Sequence, residues 1–64
     1  GLAAYAELLP QISARLKDMG RLFLEIGIEQ IDDVIGLAEQ AGLQLYGVCP
    51  DLAGHDRCLI LGKN

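Results

Sequence analysis

The chain has 64 residues, 52% of them apolar, a mean hydropathy of +0.31 and a formal net charge of −4. That length admits one small domain, which buries only about 60% of its unfolded surface, and the few scattered basic residues leave no footprint for a phosphate backbone. No apolar run reaches the roughly 18 residues of a membrane span, and no basic stretch followed by an apolar core marks a secretory leader at the N-terminus.

In chain order, residues 2–17 read as a helix. Tyr5, Leu9, Ile12 and Leu16 recur at spacings of four, three and four, which places them on one face. Pro10 interrupts this pattern; a mid-helix proline lacks the N–H and clashes with the carbonyl four residues back, so a kink or a break into two short helices is expected. Residues 21–26 form an apolar run between Gly20 and Gly27. Such a run reads as a buried strand of the kind found inside a parallel sheet covered on both faces.

A second helix is expected over residues 29–41. Glu29, Asp32 and Asp33 sit where the positive end of the helix dipole favours them, Ile31, Val34, Ile35, Ala38 and Ala41 make the apolar face, and Gly42 closes the helix. Residues 43–49 alternate, with Leu43, Leu45, Gly47 and Cys49 expected on one side of a half-buried strand. Pro50 to Asp56 has turn composition, and a last strand is expected over 57–62, close enough to pair with its predecessor as an antiparallel hairpin. The order is helix, strand, helix, strand, strand: one α/β unit, residues 1–64, with no internal repeat and no linker. A strand–helix–strand unit implies a right-handed parallel crossover. So high an apolar fraction suits a piece that packs against more protein.

These residues resemble the C-terminal end of class I S-adenosylmethionine-dependent methyltransferases, where a helix and a Leu-Lys-Pro-Gly-Gly turn lead into a strand, a helix and a terminal antiparallel hairpin. Leu16-Lys17-Asp18-Met19-Gly20 keeps the first, second and last residues of that turn. A closer resemblance is to the protein-glutamine N5-methyltransferases that modify peptide release factors. Gly20 to Gly27 with Gln30, then Gln40-Ala41-Gly42, then Asp51-Leu52-Ala53-Gly54-His55-Asp56-Arg57, and finally Leu61-Gly62-Lys63 follow that family's pattern in order. Ile31 departs from a frequent glycine, and His55 from a frequent basic residue.

The resemblance implies a Rossmann-like fold in which the last strand inserts antiparallel between the other two. It implies S-adenosylmethionine as cofactor and a peptide release factor as substrate partner. The family's glycine-rich cofactor turn, its ribose-binding acidic residue and its Asn-Pro-Pro-Tyr stretch have no match here. No catalytic or cofactor-binding residue is therefore expected within this segment, whose part is structural. Taken alone it should be inactive, and an apolar strand without its neighbour should drive self-association. Two other readings stand beside this one: a small interaction module that binds through its sheet edge, and a class I methyltransferase with another substrate.

Glu25, Gly27 and Gln30 are the candidate site residues. A carboxylate in an apolar strand, near the end of the strand where α/β sites lie, either lines the substrate side of a pocket or braces the fold as a buried acceptor. Gly27 and Gln30 follow as a loop facing the site, or simply as a turn and a helix start. His55 reads as a solvated loop residue, and Asp51, Asp56 and Arg57 as a hairpin ion pair. Cys49 and Cys58 flank the turn on adjacent strands, where they can lie opposite each other. Too few for a secreted disulfide framework, they read as reduced cytoplasmic thiols and small buried hydrophobes, with a disulfide or a metal pair as the alternative; one histidine and two cysteines do not make a structural zinc set, and no metal is expected.

Overall fold

The computed structural model describes residues 2–50, 54 and 56–63. Five regular elements and one short 3₁₀ turn follow one another: α1 (Leu2–Arg15), β1 (Arg21–Gly27), the 3₁₀ turn (Ile28–Gln30), α2 (Ile31–Gln40), β2 (Gln44–Pro50) and β3 (Asp56–Gly62). This is a small α/β unit of two helices and a three-stranded sheet in the order β1-β3-β2, with both pairings antiparallel. β1 and β2 therefore run in the same direction with β3 inserted between them.

α1 passes through Pro10 as one helix. The carbonyl of Ala6 loses its donor there, but Ala6 and Pro10 are both exposed, so water can take the missing bond. The helix sends Leu9 and Ser13 into the interior and packs Tyr5 and Leu16 against it. α2 contributes Val34 and Ala38, with Ile31, Ile35, Leu37 and Ala41 around them. From the sheet come Ile26, Leu59 and Leu61, and from the entry to β2 comes Leu43. The core thus lies between the helix pair and one face of the sheet.

α2 ends in a Schellman motif. The Leu43 N–H donates to the Ala38 carbonyl at 2.9 Å and the Gly42 N–H to the Glu39 carbonyl at 3.0 Å. Gly42 takes φ +90°, open to glycine and strained for other residues.

Two sequence expectations are corrected. β1 is not covered on both faces between parallel neighbours: it is an edge strand here, antiparallel to its one partner, β3. Its apolar side chains divide between the faces, with Leu22, Leu24 and Ile26 turned to the core and Arg21, Phe23 and Glu25 turned out, where Phe23 is 66% exposed. Secondly, Leu43, Leu45, Gly47 and Cys49 do not share a side. Leu45 pairs with Leu61 on the core face, the register shifts at Tyr46, and Gly47 and Cys49 then lie opposite Ile60 and Cys58 on the outer face. One extra residue in an antiparallel strand switches every later side chain to the other face.

Candidate functional site

β1 and β2 both end where β3 begins, so Gly27, Pro50 and Asp56 gather at one end of the sheet. Carboxyl ends of strands are where open α/β sheets place their ligands. Glu25, Gly27 and Gln30 all fall at this corner.

Glu25 stands on the outer face opposite Cys58, and it is exposed. The buried carboxylate that the apolar run suggests is therefore not found: period-two alternation carries Glu25 away from the core that Leu24 and Ile26 enter. Among the described residues no hydrogen bond holds its carboxylate. Gly27 ends β1 and opens the 3₁₀ turn with φ −60° and ψ 141°, and a β-carbon there would sit 3.1 Å from Glu29 Oε1. Gln30 closes that turn, half-buried, and leads into α2 without a side-chain capping bond. The three residues share a corner without touching as a catalytic cluster. Glu29, Asp32 and Asp33 add negative charge around the start of α2, where the helix dipole stabilises it.

Arg57 Nη1 donates to the Asp56 carbonyl at 2.9 Å. The proposed ion-pair partner Asp51 and the loop residue His55 lie outside the described residues. Among the described residues no three His, Cys, Asp or Glu side chains are grouped to hold a metal, and no helix is long and apolar enough to cross a membrane. A shallow groove between the two helices is lined by Leu2, Ala3, Ala6, Asp33 and Leu37.

At the opposite end of the sheet lies an interaction that the sequence reading missed. The Arg21 guanidinium stacks over the Tyr46 ring at 3.7 Å from its centroid, reaching from β1 across β3 to β2. Arg21 Nη1 also donates to the carbonyls of Gly20, at 3.0 Å, and Lys63, at 3.3 Å. The available signal was alternation: Tyr46 follows the core-facing Leu45 and so turns to the outer face with Arg21, while the bulge that Gly47 marks carries Gly47 and Cys49 to that same face.

The chain is similar over nearly its whole length to proteins named release factor glutamine methyltransferase. It is 49% identical to that of Cereibacter sphaeroides over 57 residues, 89% of the chain. It is 43% identical to that of Rhodospirillum rubrum over 60 residues, 94% of the chain. With that of Caulobacter vibrioides it shares 42% identity over all 64 residues. These matches cover only 18–22% of the relatives' own lengths, so the chain spans about a fifth of each. No family model matches the chain, and no solved structure does.

Proposed function

We propose that this chain is the C-terminal segment of an S-adenosylmethionine-dependent enzyme that methylates a glutamine side-chain amide of a peptide release factor. One observation carries the reading: five proteins of that name match at 36–49% identity. The similarity runs across both helices and all three strands rather than through one short motif.

Within that enzyme the segment forms one flank of a Rossmann-like sheet in a cytoplasmic protein. The free edge of β1 takes a further strand from the rest of the enzyme. Cut off from that remainder, the segment self-associates through the same edge.

S-adenosylmethionine carries ribose hydroxyls and a zwitterionic amino-acid group. The groove between α1 and α2 offers an apolar wall and one carboxylate, Asp33, which does not fit such a ligand. Cofactor binding and methyl transfer accordingly belong to the rest of the enzyme. The segment's own contribution is to hold the carboxyl end of β1. There the exposed Glu25 carboxylate, Gly27 and Gln30 stand on the substrate side, Glu25 as a hydrogen-bond acceptor and Gly27 and Gln30 as the bend that shapes the wall.

The test is methyl transfer by the full-length protein. It is incubated with isotopically labelled S-adenosylmethionine and a purified release factor, and the label is located by peptide mass spectrometry. Label on a glutamine amide of the release factor is the expected result; label confined to nucleic acid or to small molecules would overturn the proposal.

A further inference from the structure

Cys49 on β2 and Cys58 on β3 are directly opposite one another in the antiparallel register. Directly opposed residues of an antiparallel pair have Cα atoms about 4.5 or 5.5 Å apart, depending on the hydrogen-bonding position. Both spacings lie within the roughly 4.4–6.8 Å that a disulfide spans. The two side chains leave the same face, because opposed residues always do, and that face is the outer one that neither helix covers. Both thiols are free, Cys49 is exposed and Cys58 half-buried. Among the described residues, the one contact at either sulfur is weak, from Cys58 Sγ to the Leu59 carbonyl at 4.0 Å. A cysteine conserving core volume would be enclosed; Cys49 is not. The register shift at Tyr46 is what creates the pair, since without it Cys49 would point into the core side of β2.

We propose that Cys49 and Cys58 form a redox-reversible cross-strand pair that closes to a disulfide by exchange with a low-molecular-weight disulfide such as oxidised glutathione. The thiolate of one cysteine attacks a glutathione sulfur, forming a mixed disulfide and releasing one glutathione thiolate. The second cysteine attacks the protein sulfur of that mixed disulfide and releases the other glutathione. Two protein thiols are oxidised, one glutathione disulfide is reduced to two glutathione thiols, and the two protons pass to those thiols or to solvent. The product staples β2 to β3, and reduced glutathione reopens it.

Arg57 makes the test direct. Trypsin cleaves between the two cysteines, so Cys49 leaves in the peptide Leu22–Arg57 and Cys58 in Cys58–Lys63. The folded full-length protein is equilibrated with oxidised and reduced glutathione, quenched by alkylation, digested and mapped. The expected product is those two peptides joined, lost on treatment with dithiothreitol. Its equilibrium constant of formation should be about tenfold or more higher in the folded protein than in denaturant, because the fold holds the thiols together. Cys49→Ser, a change at an exposed position, should leave Cys58 only as a glutathione mixed disulfide. Separate glutathione adducts on both cysteines with no joined peptide would overturn the proposal, as would equal constants in folded and denatured protein.

Discussion

The carbonyl oxygen of Gly20 occupies the space that a β-carbon on Gly62 would need. The same β-carbon would also press on Arg21, 2.9 Å from Nη1 and 3.0 Å from Cδ. Gly62 is thus the point where the turn after α1 passes over the end of β3 and where the Arg21 side chain crosses toward Tyr46. A backbone carbonyl cannot swing aside as a side-chain tip can. Gly62→Ala should therefore lower stability by about 3 kcal/mol, the upper part of the range for overpacking. Urea denaturation of the variant and the unaltered protein measures it, and a change below about 0.5 kcal/mol would mean that the close approach is absent.

Gly36 makes the opposite case. It lies inside α2, and a β-carbon there meets nothing within 4 Å. Only the helix propensity then matters, so Gly36→Ala should raise stability by about 0.8 kcal/mol. The same denaturation experiment reads it, and a loss of stability would reveal a neighbour at that face.

Met19 holds a left-handed backbone, φ 67°, in the turn between α1 and β1. Its N–H donates to the Lys63 carbonyl at 3.1 Å, which fixes that conformation, while its side chain is 72% exposed. The generic turn that the sequence resembles carries glycine at this place. Left-handed backbone costs a non-glycine residue about 1–2 kcal/mol, and glycine's greater freedom in the unfolded chain returns about 0.4–1 of that. Met19→Gly should on balance stabilise the protein by about 0.5 kcal/mol, whereas the β-branched Met19→Val should destabilise it. A midpoint shift in opposite directions for the two variants is the expected readout.

Much of this architecture is legible in the sequence because it rests on local signals. The four-three-four spacing of Tyr5, Leu9, Ile12 and Leu16 and the acidic start and glycine end of α2 act within a few residues. What escapes depends on pairing. Glu25 reads as buried only while β1 is thought to be covered on both faces; once β3 is its sole partner, alternation turns Glu25 outward with Arg21 and Phe23. The shift at Tyr46 is likewise a property of two strands together; the sequence does place Cys49 and Cys58 on adjacent strands where they can face each other, and the register pairs them, but on the outer face rather than in the core. The corner formed by Gly27 and Gln30 was visible as a break after an apolar run, but the 3₁₀ turn joining them was not, since such short turns carry little propensity signal.

The Arg21–Tyr46 stack should contribute a measurable coupling. Cation–π pairs at exposed positions are worth about 0.5–1 kcal/mol, and this one ties β1 to β2 over the top of β3. A double-mutant cycle with Arg21→Met and Tyr46→Leu should give a coupling energy in that range. A coupling near zero would assign the fixing of Arg21 to its backbone acceptors, Gly20 and Lys63, instead.

Glu25 separates a bracing role from a substrate-side one. A bracing carboxylate would be held by the segment itself, yet Glu25 is exposed and stands beside Cys58 with no hydrogen bond to its carboxylate among the described residues. Glu25→Gln should then leave the unfolding midpoint unchanged, to within the ~0.5 kcal/mol typical of surface changes. In the full-length enzyme it should lower kcat/KM for the release factor roughly tenfold, the loss of one charge-assisted hydrogen bond. The two readouts fail differently. A fall in stability with activity lost in proportion returns Glu25 to the bracing role, and unchanged activity removes it from the substrate side altogether, leaving the bend at Gly27 and Gln30 to shape that wall.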